Sequence, residues 1–170
     1  MKTLFEMTGR LSAALAALAK VLIGLMILFV VADVAFRNLG LRPLSWAVSG
    51  SEYILLYAAF LPMPWLVHSK GHVFVEFLRN ILPPKGRLVL EKIVYLVCIG
   101  LCLYLGSYAL MSLNDSFQSG AYETRSFDMP KWAVFLPITL GFFLSAIEWL
   151  RYLLGHDTLY NLDPLEVEGL

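Results

Sequence analysis

Acidic and basic side chains are missing from the middle of every long apolar run in this 170-residue sequence. Only 15% of its residues are charged, against about 25% in an ordinary soluble domain, which argues against a water-soluble fold. Without carboxylates or lysines at mid-run there is no proton or ion relay across a bilayer. Lys+Arg and Asp+Glu both number 13, which leaves no basic surplus for nucleic acid. Cysteine is almost absent too. Cys98 and Cys102 lie four apart inside one apolar run, so they supply no disulfide framework. Reactive thiols sit where water or a neighbouring cation stabilises the thiolate, so a mid-run pair reads as small packing residues. No nucleophile–base constellation, phosphate-cradling glycine loop or metal-ligand cluster is evident. The sequence therefore predicts neither an enzyme nor a cofactor.

What the chain has is hydrophobicity: 59% apolar residues and a mean hydropathy of +0.71. A helix needs about 20 apolar residues to cross a roughly 30 Å hydrocarbon core. Four stretches approach that length, Leu11–Phe36, Tyr53–Val67, Ile93–Leu113 and Trp132–Leu154. The expected fold is an all-α integral membrane protein with four transmembrane helices, forming a single membrane domain over residues 1–155. Residues 156–170, with Asp157, Asp163, Glu166 and Glu168, read as an acidic cytoplasmic tail. Val30-Val31-Ala32 has the small-residue look of a cleavage site, but the run before it is longer than a signal core, and the first helix reads as uncleaved.

Lysine and arginine are distributed unevenly. The N-terminus, the second loop and the C-terminal end together hold nine, and the other two loops hold four. By the positive-inside bias both termini face the cytoplasm. Lys20 and Asp33 bracket the apolar part of the first span, and Lys20 is expected to snorkel to the cytoplasmic surface. Gly9, Ala13 and Ala17 repeat every fourth residue and could form a smooth packing face.

Pro62 and Pro64 interrupt the second span, and a structural kink is expected there. Residues 73–82 place Glu76, Arg79 and Asn80 on a narrow arc, with Phe77 and Leu78 on the apolar remainder. That pattern predicts a short amphipathic interfacial helix, lying on the membrane surface or against a partner and stopped by Pro83-Pro84. His68 and His72 are four apart, but they and His156 sit at a span edge, where a solvated or interfacial role outweighs ligation. Glu148 and Arg151 are expected to form a minor surface pair at the end of the last helix, and Glu52 to pair with Arg37 or Arg42 across the first loop. The outer loop carries Glu123 and Arg125, charges suited to steering a soluble partner.

The series Asp33…Arg37-Asn38…Gly40…Trp46…Glu52 resembles the first-loop signature of the small membrane subunit, DctQ-like, of TRAP (tripartite ATP-independent periplasmic) transporters. Gly71-His72-Val73-Phe74-Val75-Glu76, followed by Leu82-Pro83, is similar to that family's inner-loop motif. Pro130-Lys131-Trp132, leading to Pro137 and Gly141, resembles its last-helix start. Two features differ from the family pattern: Leu61-Pro62-Met63-Pro64 replaces a small-residue run, and the paired acids after the tryptophan are reduced to Ser51-Glu52.

The resemblance implies a scaffold subunit in the bacterial inner membrane. Its implied partners are a large multi-spanning transport subunit that carries substrate and sodium sites, and a periplasmic substrate-binding protein that delivers a carboxylate or sialic-acid-like anion. Arg37, Trp46, Glu52, His72, Phe77, Leu78, Glu123, Arg125, Pro130 and Trp132 are the resulting partner-interface candidates. A membrane anchor or cytochrome-like redox subunit is the alternative, and a small self-sufficient transporter or channel is a third reading.

Overall fold

The computed structural model describes residues 2–71, 83–124 and 128–155. The expected interfacial helix over 73–82, the acidic tail, and His72, Phe77, Leu78 and Arg125 lie outside the described residues.

Helix α1 runs unbroken over Lys2–Asn38. It ends where Gly40 takes φ +71° and the amides of Gly40 and Leu41 turn back onto the carbonyls of Arg37 and Phe36, a left-handed stop that glycine adopts without a Cβ penalty. The buried face of α1 is Phe5, Gly9, Ser12, Ala16 and Ala19. Of the expected Gly9-Ala13-Ala17 repeat only Gly9 packs within the chain, and Ala13 and Ala17 are exposed. A repeat of four drifts around a helix of 3.6 residues per turn, whereas alternating steps of four and three keep to one face.

Helix α2 covers Ser45–Phe60 and helix α3 covers Met63–His68. The second span, expected over 53–67 with an interruption at Pro62 and Pro64, is found as these two helices: the first starts earlier, and the break falls at Leu61-Pro62. Pro62 and Pro64 lack the amide protons that would close on Ala58 and Phe60. The Phe60 carbonyl stripped of its donor lies against Gly141, where an added Cβ would stand 2.6 Å from its oxygen. A larger residue there would force the two helices apart.

Helix α4 spans Pro84–Ser119, with Pro84 in its first turn and Gly120 in the left-handed conformation after it. A short antiparallel hairpin follows, β1 Tyr122–Thr124 and β2 Asp128–Pro130, with Tyr122 opposite Pro130. Helix α5, Lys131–Leu153, carries Pro137 in its interior. Among the described residues, three helical stretches, Phe5–Asn38, Gly86–Ser119 and Lys131–Leu153, are long and apolar enough to cross a membrane.

The core lies where α4 and α5 pack side by side and α3 closes over one end. Val67, Tyr95, Cys102, Ala146, Trp149 and Tyr152 are its buried members, with Cys98 packed against them. Tyr95, Trp149 and Tyr152 form a ring triangle with centroid separations of 5.8 to 5.9 Å, the spacing at which tilted and edge contacts are favourable. Both cysteines are free thiols, in keeping with a packing role.

Pro137 also exposes a helical carbonyl, that of Ala133, because residue i cannot donate to residue i−4. The Tyr57 hydroxyl donates to that oxygen at 2.7 Å. A side chain from α2 thereby replaces the missing donor and fixes α2 to the start of α5.

Candidate functional site

Two polar clusters lie at opposite ends of the bundle. At one end Glu148, Arg151 and Tyr152, spaced three and four residues along α5, share a face that meets the last turn of α3. Glu148 is fully buried. Its Oε2 lies 3.0 Å from Nδ1 of His68 and 3.7 Å from Nη1 of Arg151. Arg151 Nη1 is in turn 2.9 Å from the same His68 nitrogen. A proton on that nitrogen is donated to the carboxylate; without it, the nitrogen accepts from the guanidinium. Tyr152 donates its hydroxyl to the Val67 carbonyl at 2.7 Å and reaches the His68 carbonyl at 3.2 Å, so the C-terminal carbonyls of α3 are capped from α5.

This corrects the expectation of a minor surface pair between Glu148 and Arg151. The two do pair, but the carboxylate has left water entirely, and a charge in that position requires compensation by close partners. His68 is likewise not simply solvated: it is drawn into the cluster, and a Cβ on Gly9 of α1 would stand 2.8 Å from its ring. A surface cavity of about 380 Å³ opens here, lined by Glu6, Gly9, Arg10, His68 and Arg151 among others. Lys20 places its ammonium 5.3 Å from the Trp65 ring centre, adding a cation–π link between α1 and α3 to the expected surface position.

The other end gathers the first-loop residues. Asp33 Oδ1 accepts the Leu44 amide at 2.8 Å and Oδ2 pairs with Arg37 at 2.7 Å, so one carboxylate fastens the end of α1 to the start of α2. Trp46, in the first turn of α2, meets Phe29 edge-on at 5.1 Å. Glu52 and Glu123 line one cavity of about 320 Å³ together with Tyr53, Lys131 and Phe135. Glu52 also borders a neighbouring cavity that includes Asp33 and Ser51. The expected pairing of Arg37 with Glu52 gives way to Asp33, which lies one helical turn from Arg37 on the same face. Pro130 precedes α5 and is opposite Tyr122 in the hairpin, while Trp132 is partly exposed in the first turn of α5.

Of the partner-interface candidates, the structure brings Glu52 and Glu123 together at one cavity, and sets Arg37, Trp46, Pro130 and Trp132 around the same end. Sequence reasoning missed the cluster at the opposite end. Its signal was present as Glu148, Arg151 and Tyr152 on one face, with His68 closing the second apolar run. Among the described residues no group of three or more histidine, cysteine, aspartate or glutamate side chains is disposed to hold a metal ion.

The chain's residues 26–157 match the family described as tripartite ATP-independent periplasmic transporters, DctQ component. The chain belongs to the DctQ family. DctQ proteins are transport components rather than enzymes, and three long apolar helices agree with a membrane-embedded member. The matched range contains His68, Glu148, Arg151 and the whole of the first-loop cluster.

The chain is also 29% identical over 89 residues to the sialic acid TRAP transporter permease protein SiaT of Haemophilus influenzae (strain 86-028NP). That stretch is 51% of this chain and 14% of the relative, so this DctQ chain spans only a small part of the permease that it matches. No solved structure matches it.

Proposed function

We propose that this DctQ chain is the small scaffold subunit of a secondary transporter in the bacterial inner membrane, packed against a large multi-spanning transport subunit. The observation that carries the reading is the family match over residues 26–157. The arrangement of polar groups supports it. No acidic or basic residue occurs between Lys20 and Asp33, between Lys92 and Asp115, or between Lys131 and Glu148, so the helices have no charged pathway through their middle.

In this reading α2 and α3 together make a second, broken crossing beside the three long helices, and both termini are cytoplasmic. Uptake is sodium-coupled and the substrate class is organic anions, carboxylates above all, bound by the large subunit and by a periplasmic binding protein. The name of the SiaT relative, a sialic acid permease, supports an anionic substrate. Arg37, Trp46, Glu52, Glu123, Pro130 and Trp132 form the periplasmic face on which the binding protein is oriented, joined by Arg125. His72, Phe77 and Leu78 contact the large subunit or the inner leaflet. The family match, to a transport component, favours this reading over a redox subunit.

Reconstitution decides the matter. Liposomes holding this chain and a TRAP large subunit, supplied with the binding protein, should accumulate anion under a sodium gradient, and the large subunit without this chain should not. Uptake by this chain alone would overturn the scaffold assignment.

A further inference from the structure

The two faces of α4 differ in kind. One face, through Tyr95, Cys102 and Ala109, is buried in the chain's own core. At 100° per residue the opposite face carries Ile93, Val97, Gly100, Tyr104, Tyr108 and Met111. Tyr104 and Tyr108 are 59% and 57% exposed. Their rings meet edge-on at 5.0 Å, so the pair forms a ridge one turn long. Just before it, Gly100 leaves a notch: a Cβ placed there would find nothing within 4 Å.

Depth makes this pattern informative. The apolar run Ile93–Leu113 is centred on residue 103, which puts Tyr104 within about 2 Å of the bilayer midplane and Tyr108 about 8 Å from it. A phenol at the headgroup level is satisfied by water, but hydrocarbon tails offer no hydrogen-bond partner. The outward face of α1 provides the contrast. From Val21 to Val34 its exposed residues are only valine, leucine, isoleucine and glycine, a surface suited to lipid.

We propose that the α4 stripe through Gly100, Tyr104 and Tyr108 is the surface on which the large transport subunit docks, an inference that rests on the scaffold reading above. A partner helix approaches closely at the Gly100 notch, as small residues allow in membranes. The two hydroxyls then hydrogen-bond to polar groups of that partner, which lipid cannot supply. The large subunit is favoured over a second copy by the SiaT match. There the aligned stretch is only 14% of a permease chain, so the DctQ-like segment has a much larger body of permease attached to it.

The test places the photo-reactive residue p-benzoylphenylalanine at position 104 or 108, and separately at 27 or 31 on α1, in the full chain within the assembled transporter. Illumination should link positions 104 and 108 to the large TRAP subunit, identified by mass spectrometry, and leave 27 and 31 unlinked to it. Adducts from 104 and 108 with lipid or with a second copy, or large-subunit adducts from α1 alone, would overturn the α4 assignment while leaving the scaffold reading intact. If the wild-type chain does not co-purify with the large subunit, both readings fail. Gly100→Leu provides a second check, because open space at Gly100 lets this chain fold unchanged. The substitution should lower recovery of the large subunit roughly tenfold, with unaltered melting of the isolated chain. Undiminished recovery would count against the notch.

Discussion

Glu148, wholly buried on α5, is held 3.0 Å from the imidazole of His68 at the end of α3. The short helix is thus fixed to the bundle by a charge that has no access to water. Removing a partner from such a group is more damaging than removing the group itself, since an uncompensated buried charge costs about 3–5 kcal/mol. Arg151→Leu should therefore lower the melting temperature in detergent more than Glu148→Gln, and adding Glu148→Gln to Arg151→Leu should restore part of the loss. An Arg151→Leu chain as stable as wild type would show that the guanidinium does not compensate the carboxylate.

Tyr57 and Pro137 form a second coupled pair. The hydroxyl of Tyr57 reaches the Ala133 carbonyl that Pro137 leaves without a helical donor. Tyr57→Phe should destabilise the chain by about 1–2 kcal/mol, the usual cost of an unsatisfied buried carbonyl. In a Pro137→Ala background the restored amide supplies the donor, and the same change should have little effect. Equal effects of Tyr57→Phe in the two backgrounds, measured by unfolding in mixed micelles, would exclude this coupling.

How legible was this architecture beforehand? The last helix, expected over Trp132–Leu154, is found at Lys131–Leu153, because its ends are marked by Pro130 and Gly155. The family resemblance rested on motifs spread over the chain, and the family match over residues 26–157 agrees with it. The second span was harder. Pro62 and Pro64 signalled a kink, but not that the freed Phe60 carbonyl would require glycine at position 141 on another helix. Glu148 was misjudged for a similar reason. Its place near a helix end suggested water, while its burial depends on His68, eighty residues away in sequence. Local pattern identifies helices well, whereas proline-freed carbonyls and buried charges are satisfied by partners that only the tertiary fold brings together.

Topology gives a third prediction. Nine Lys and Arg residues on the proposed cytoplasmic side, against four on the other, predict that the hairpin faces the periplasm. A cysteine at Ser119 in a chain lacking Cys98 and Cys102 should react with a membrane-impermeant maleimide in intact cells. One at Ser69 should react only after permeabilisation. The reverse labelling pattern would invert the chain and move the proposed docking face to the cytoplasm.

Docking of the binding protein is the last consequence of that orientation. Glu123 on β1 and Glu52 on α2 share a cavity with Lys131, so its rim carries both signs of charge. Rim charges of this kind act on encounter rate and orientation more than on final affinity, and they are screened over about 8–10 Å at physiological salt. Glu123→Lys should therefore slow uptake severalfold in the complete three-component system at low ionic strength, with the deficit shrinking as salt is added. Recovery of the large subunit with the mutant chain should be unchanged, because the hairpin is remote from the α4 stripe proposed to hold it. Uptake at the wild-type rate in low salt would remove Glu123 from the docking face. A salt-independent loss accompanied by poor recovery would instead mark Glu123 as part of the fold.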